Sequence, residues 1–299
     1  VTIGERNDLV YSLSPLKYIR SLGFTPFAWQ AAVIDSHHKR KHINGARQAG
    51  KSTIISSKPC HRARFFPGSL SIILAATEKQ AVEDMERVKD FMSRDPDYPE
   101  IVRDSDSLVE LANKSRILVV PATEKAARGY SSPDIIMLDE DSRIDDMVYK
   151  SGVRPMLTDN EKCEVCAIST PNGRLGHFFS ASRSQRWERY LIRSPWEIDE
   201  DAVRLQPARD ENVFKLEQAT QGVQGYYSPR HAIAEEQQEN LEEMGVLMYR
   251  QEYLCEYVEP EDQVFSFDEI ERVFSSGVAR MDGAIDRAPV AAMRFPDLD

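Results

Sequence analysis

The sequence predicts an α/β fold with a mostly parallel central sheet flanked by helices, and three observations carry that prediction. Four short runs, residues 71–76, 116–120, 134–138 and 163–168, are apolar through most of their length, as strands covered on both faces are. Helical patterns separate several of them, most clearly over residues 81–92, which supplies the crossovers that parallel strands need. A loop bounded by Gly45 and Gly50 follows a short apolar segment and precedes Thr53-Ile54-Ile55, which can begin a helix.

Along the chain, residues 9–22 alternate apolar and polar at near-helical spacing until Gly23 stops them. Pro26 can start the next helix, which carries Trp29 to Ile34. A basic stretch, 38–42, leads into the loop. After residue 195 the texture changes: Pro195, the acidic stretch 197–201 and the apolar-poor stretch 211–224 read as surface helix and loop. Ser228-Pro229 supplies a cap and an opening proline for an acidic helix over 231–244, which Gly245 ends. Residues 247–257, with Tyr249, Tyr253, Leu254, Cys255 and Tyr257, should return to the core. A small helix over 267–274 precedes a tail, 275–299, that reads as a linker or truncated edge.

Composition bounds the function. At 299 residues with 41% hydrophobic content the chain excludes disorder, collagen and short disulfide scaffolds as its main architecture. Lys+Arg 38 against Asp+Glu 49 gives a net charge of -11, which argues against coating DNA by bulk charge but allows a local basic strip. Four cysteines in a chain this long point to a reducing compartment. Cys163 and Cys166 have redox or metal spacing, yet they lie in an apolar run with no second pair and read as strand residues. No window approaches the roughly 20 apolar residues that cross a bilayer, and the first residues carry no signal-peptide core, so a soluble intracellular protein is expected.

The loop Gly45-Ala46-Arg47-Gln48-Ala49-Gly50-Lys51-Ser52 matches Gly-x4-Gly-Lys-Ser/Thr. Its glycines let backbone N–H groups wrap phosphates, Lys51 reaches the β and γ oxygens, Ser52 can ligate Mg²⁺, and Thr53 continues into the helix. Hydrolysis of ATP also needs a carboxylate for the Mg²⁺ shell and a group that positions water. The run 135–138 ends in Asp139 and Glu140, which suit those two tasks; Asp141 reads as solvated or structural. Ser169-Thr170-Pro171 follows the 163–168 run, where small hydroxyls can sense the γ phosphate or serve turn chemistry alone. Arg128, eleven residues before Asp139, can bridge developing phosphoryl charge in its own subunit or across an interface, or be a surface arginine. Gln30 can read adenine edges or be solvated.

This ordered set resembles the ATPase part of the large terminase subunit, the motor that packages genomes into the capsids of tailed bacteriophages. The likeness spans roughly residues 18–265: Pro26 to Gln30 is similar to the adenine-binding segment, Arg47 to Ser52 to the arginine-containing phosphate loop, Arg128-Gly129 and Leu138-Asp139-Glu140 to two further motifs, Ser169-Thr170-Pro171 to the coupling motif, and 249–257 to the closing segment. The resemblance implies an additional-strand (ASCE) P-loop core over 1–210, a lid subdomain and return to the core over 211–260, and a linker or start of a nuclease domain over 261–299. It implies ATP and Mg²⁺ as cofactors, and Arg47 contacting phosphate or switching contacts. Arg128 would serve the neighbouring subunit's nucleotide, and Ser169 and Thr170 would transmit hydrolysis. Its implied partners are double-stranded DNA, a portal protein, a small terminase subunit and further copies in a ring, usually of five. The implied location is the host cytoplasm, transiently on the procapsid, with no membrane and no secretion. Family members carry a metal-dependent nuclease after the ATPase, so ATPase activity without DNA cleavage is expected. Arg174, Arg183, Arg186 and Arg189 are the candidate DNA-facing or subunit-facing strip.

Two rivals share parts of this pattern. A helicase-like remodelling ATPase would want a second motor domain, for which the roughly 90 residues after position 210 are too few. A nucleotide-gated assembly module that barely turns over would have little need for Glu140.

Overall fold

Pro15 divides the helical pattern of residues 9–22, because its ring clashes with the preceding turn and it has no N–H to donate. The products are α1 (Ile3–Leu13) and α2 (Pro15–Ser21), the second capped by Ser14, whose hydroxyl accepts the Lys17 N–H. The structure, a computed structural model, describes residues 3–127 and 129–258. Helix α3 (Ala28–Asp35) begins two residues beyond Pro26, where the Gln30 side chain accepts the Phe27 N–H. There follow β1 (Arg40–Gly45), α4 (Ser52–Phe65), β2 (Leu70–Ala75), α5 (Glu78–Ser93), β3 (Ile101–Asp104), β4 (Leu108–Leu111), β5 (Arg116–Pro121), α6 (Glu124–Ala127) and β6 (Ile135–Asp139). A π-helical turn, Val148–Val153, runs into α7 (Arg154–Asp159), then β7 (Glu164–Ser169), α8 (Gly176–Ser182), β8 (Glu188–Arg193), β9 (Trp196–Asp199), β10 (Arg204–Pro207), α9 (Glu211–Thr220), β11 (Val223–Tyr227) and α10 (Ala234–Glu252).

Nine strands form one sheet in the order β11-β8-β1-β7-β6-β2-β5-β4-β3. Every pairing from β11 to β5 is parallel; β4 runs antiparallel to both β5 and β3. The four expected apolar strands are β5, β2, β6 and β7, adjacent in the middle of the sheet. Strand β7 lies between β1, which leads into the glycine loop, and β6, which ends in Asp139. That inserted strand is the additional strand of an ASCE-type P-loop fold.

Alternation along each strand sends side chains to two cores. Ile73, Met137, Cys166 and Ile168 pack with Ile54, Val88 and Phe91 on one face. Ile72, Leu74, Ile136, Leu138, Val165 and Ala167 pack with Val153 and Phe178 on the other. Because the central strands are parallel, Gly45, Asp139 and Ser169 all arrive at one edge, the carboxyl end where open α/β sheets place their ligands.

The described residues form one compact unit, and the boundary expected at 210/211 falls inside it. Strand β11 extends the main sheet by pairing with β8, so Val223–Tyr227 lie in the same sheet as the glycine loop's strand. A smaller cluster, Leu241, Tyr249, Tyr253 and Leu254, instead joins α10 to Ile198 of β9 and Leu205 of β10. Gly245 kinks α10 (φ 78°, ψ 168°) and the helix resumes beyond it, where a helix end was expected. Tyr249, Tyr253, Leu254 and Cys255 do return to the interior. Residues 261–299, with the expected helix and tail, lie outside the described residues. Among the described residues no helix is long and apolar enough to cross a membrane.

Candidate active site

The loop after β1 is held open by its glycines. Gly50 has φ +96°, in the left-handed region, and a Cβ there would sit 3.0 Å from Gln30 Nε2. Gly45 leaves room for the Lys51 stem, which a Cβ would approach to 3.2 Å. Among the described residues no acceptor lies against the N–H groups of Gln48, Gly50, Lys51 or Ser52. These donors gather at the start of the 14-residue α4, where helix dipole and orphan N–H groups favour an anion. Lys51 is buried and its ammonium is saturated, donating to Gly45 O at 2.8 Å, Ala46 O at 3.2 Å and Thr170 Oγ1 at 2.8 Å. It is folded back on its own loop and must exchange these acceptors to meet a phosphate.

Asp139 ends β6 and Glu140 follows in the left-handed region at φ 53°, ψ 46°, a conformation that costs a non-glycine residue energy and is concentrated at functional sites. Asp84 of α5, which the sequence did not single out, is fully buried behind them. One of its oxygens accepts Arg87 Nη1 at 2.7 Å, and Oδ2 has no donor among the described residues. The Asp139 carboxyl lies within hydrogen-bonding reach of Asp84, and burial, with Asp84 and Glu140 close by, holds it well above the ordinary carboxylate range. Burial raises Asp84 too. Two contacting buried carboxyls cannot both ionise unaided: a proton shared between them satisfies the pair, and a divalent cation with its bound water would serve in that proton's place. The residues present therefore suit magnesium.

At the end of β7, Ser169 Oγ lies 3.0 Å from Glu140 Oε2, and Thr170 Oγ1 donates to Gly45 O at 3.1 Å while accepting from Lys51. Ser142, also missed in the sequence, lies 2.8 Å from Ser169 Oγ and donates to Thr170 O at 2.7 Å. Asp141 is structural rather than solvated: it is 2% exposed and pairs with His177 Nδ1 at 2.7 Å, with Tyr149 stacked on the imidazole. The buried Pro171 carries the chain out of the strand.

The loop is also gripped from the far end of the chain. Arg47 N–H donates to Glu252 O at 2.8 Å, and His231 Nε2 donates to Arg47 O at 2.9 Å. Burial lowers the His231 pKa to about 4, so the ring is neutral. A pocket of about 700 Å³ joins the exposed Arg47 side chain to Lys51, Glu140, Thr170, Arg143 and Arg230. Arg143, Arg230 and Glu252 carry no motif that a single sequence reveals. Gln30 is buried, and its amide bonds Phe27 N–H and Gly50 O. It braces the loop, and an adenine contact would have to break one of these bonds.

The loop 45–53, Asp139, Glu140, Ser169 and Thr170 thus meet at one edge of the sheet. Arg128 lies outside the described residues. The expected arginine strip is not one surface: Arg174 donates to Tyr257 O, and Arg189 is spent on Ser182 O, Gln221 O and Gly222 O. Arg183 lies over the Phe179 ring and Arg186 is exposed. Cys163 and Cys166 are buried in and beside β7, and burial pushes both thiols up to about 12.

Residues 42–272 match the family model for the large terminase subunit, T4likevirus-type, N-terminal. Two solved structures of the large terminase ATPase domain of Thermus phage P74-26, one of them an arginine-to-alanine variant, are 22% identical to the chain, with TM-scores of 0.58 and 0.61. Each alignment covers 81% of this chain and 98% of theirs. The HK97 bacteriophage large terminase is 14% identical, with a TM-score of 0.53 over 78% of this chain and 51% of its own. A search of the curated proteins finds no match. The structural likenesses show a shared fold.

Proposed function

The chain belongs to the T4-like large terminase N-terminal family, and we propose that it is an ATP-hydrolysing motor region that drives double-stranded DNA into a procapsid. What supports this most is the convergence of Lys51, Glu140, Ser169 and Thr170 across β1, β6 and β7, joined by contacts of 2.8 to 3.1 Å. In this reading Lys51 and the free loop N–H groups receive the phosphates, and Gly50 keeps the backbone close to them. Ser52 and Asp139 would hold magnesium, with Asp84 behind Asp139. When bound, magnesium neutralises charge on the β and γ oxygens.

Glu140 orients water, its carboxylate aimed by the left-handed backbone and by the Ser169 hydroxyl. Thr170 senses the phosphate end of the pocket through Lys51 and passes the change along β7. Arg47 and Arg128 supply positive charge to the phosphoryl group, Arg128 from a neighbouring subunit of a ring. The lid is built from β9, β10 and α10, which share a small core, since β11 belongs to the sheet. In the same reading its partners are a portal protein and a small terminase subunit, and its setting is the host cytoplasm.

The test is steady-state ATP hydrolysis against protein concentration for the chain and for Glu140→Gln, with nucleotide binding measured alongside. Specific activity that rises with concentration and vanishes in the variant, with ATP binding kept, is the expected result. Normal turnover in Glu140→Gln would overturn its role; tight ATP binding with no turnover in either protein would leave a nucleotide-gated switch.

A further inference from the structure

At the opposite end of the sheet from the nucleotide pocket, two contiguous grooves of about 810 and 390 Å³ share Arg40 and Arg186 in their walls. Arg40 opens β1 and Lys39 precedes it, Arg154 comes from the first turn of α7, and Arg186 from the loop entering β8. These four are cations against Glu161 as the one acid among the lining residues whose side chains are described. Among the described residues none of the four has a carboxylate partner, although the chain as a whole has eleven more acids than bases and arginines elsewhere, such as Arg62, Arg64, Arg87 and Arg94, are paired. Lys39, Arg154 and Arg186 are exposed and Arg40 is half-buried.

The chemistry of the lining selects the partner. Its other polar groups are mainly hydroxyls and histidines, its surface is more polar than apolar, and its cations crowd the place where a protein interface is depleted of charge. Guanidinium forks with hydroxyl donors are the set that holds phosphodiester oxygens, and they position a duplex without reading its sequence. A motor that must move along any sequence needs contacts of that kind. We propose that this groove is the docking strip for the phosphate backbone of duplex DNA, with Arg40, Arg154 and Arg186 as its contacts; the proposal rests on the motor reading given above.

The location gives the strip a route to the nucleotide. Strand β1 runs from Arg40 to Gly45, and β8 runs from just beyond Arg186 to Ile192, whose carbonyl accepts the Ala46 N–H. Six residues of strand separate the two ends by roughly 20 Å. Substitutions in the groove therefore leave the nucleotide pocket intact, while a load on the groove lies on strands that end at the phosphate loop.

The test is fluorescence anisotropy of a labelled duplex of random sequence against the full chain, from about 50 to 200 mM salt, with basal hydrolysis measured on the same preparations. Loss of three phosphate contacts in the Arg40→Ala, Arg154→Ala, Arg186→Ala triple variant should lower the slope of log K against log salt by about 2.7. Over that fourfold range the variant's affinity should then fall about 40-fold less than that of the unaltered chain. Basal hydrolysis should be unchanged, and the corresponding triple lysine variant should keep most of the slope.

A control triple, Arg20→Ala, Arg103→Ala, Arg116→Ala, makes the same change in net charge at exposed positions elsewhere. An unaltered slope in the groove variant, or an equal loss in the control, would overturn the proposal. So would a chain that hydrolyses ATP yet shows no salt-dependent affinity for the duplex, and that outcome would leave the ATPase reading standing. Failure of the ATPase reading appears separately, in the hydrolysis assay with Glu140→Gln. Intact DNA binding with lost self-association in the groove variant would make the strip a subunit contact instead.

Discussion

Removing the Ser169 hydroxyl tests how the end of β7 reaches the chemistry. Ser169 Oγ lies 3.0 Å from Glu140 Oε2, 2.8 Å from Ser142 Oγ and 2.9 Å from Thr170 O. A hydrogen bond to a charged group is worth about 1.5 to 3 kcal/mol, or roughly 10- to 150-fold in rate if it acts only in the transition state. The hydroxyl has a single proton and three acceptors, so the lower end applies and Ser169→Ala should reduce kcat about tenfold. Ser142 still donates to Thr170 O at 2.7 Å, which keeps the strand end in place. Ser169 is fully buried and absent from the pocket wall, whereas Thr170 lines it. KM for ATP and the melting temperature should therefore hold while kcat falls. Steady-state hydrolysis with a fluorescent-nucleotide binding titration separates these quantities. A kcat within twofold of the unaltered chain, or a loss carried by KM, would refute the view that Ser169 aims Glu140.

Glu164 sits between two buried lysines, 2.9 Å from both Lys41 and Lys58, and although burial opposes its charge these lysines hold its pKa down to about 2. A folded pKa below the ordinary 4.5 gives stability that is present above pH 4.5 and is lost as pH falls toward 2; the shift corresponds to about 3 kcal/mol. Glu164→Gln should lower the unfolding free energy by at least that amount at pH 7 and flatten the acid limb of its pH profile. Denaturant melts at several pH values would show this, and an unchanged acid limb would dismiss the ion triad as its source. Gly152→Ala would place a Cβ 2.2 Å from Ala127 Cβ, where the π-helical turn crosses α6. Overpacking of that kind costs about 1–3 kcal/mol, so the variant should melt lower and Ala127→Gly should restore it; a neutral single variant would mean that the two segments separate freely.

The parts of this fold that could be read in advance are those where one signal dominates. Strands β2, β5, β6 and β7 are apolar because both faces are covered, and the glycine loop and Asp139-Glu140 announce themselves by residue type at fixed spacing. Strand β1 gives a much weaker signal, the short segment before the loop, since Arg40-Lys41-His42-Ile43-Asn44-Gly45 has one large apolar residue. It is buried by partners distant in sequence: Lys41 pairs with Glu164, Asn44 donates to Cys255 O at 3.0 Å, and burial lowers the His42 pKa to about 3. Strand β11 was hidden for a related reason. Val223-Gln224-Gly225-Tyr226-Tyr227 is a sheet edge, and its Gly225 lies flat under α9, where a Cβ would meet the Gln218 side chain at 2.8 Å. Asp84, Ser142 and Glu252 were silent because their neighbours in space are remote in sequence or carry no pattern. The arginine cluster misled because density along the chain says nothing about which guanidinium groups are already spent on backbone carbonyls.

Those remote contacts determine what the phosphate loop can do. Arg47 is held at both its N–H and its carbonyl, by Glu252 O and by His231, and neither partner is on the strand that leads into the loop. Next to it, Tyr253 O accepts the Ser194 N–H and Cys255 O accepts from Asn44, so the end of α10 is pinned to the ends of β1 and β8. With a pKa near 4 the His231 ring stays neutral through physiological pH and keeps its Nε2 proton for the Arg47 carbonyl, so the clamp is not a pH switch. Its release requires movement instead. A displacement of α10 relative to the sheet must break the Arg47 N–H contact, and a shift at 228–231 must break the carbonyl contact, so neither can occur without freeing the backbone of a residue whose side chain lines the pocket. Lys51 has the complementary constraint, since it reaches phosphate only by leaving Thr170. On the proposed function, a nucleotide entering the pocket would act on β7 through Lys51, a movement of α10 would act on the loop through Arg47, and the eight-residue loop is where the two would meet.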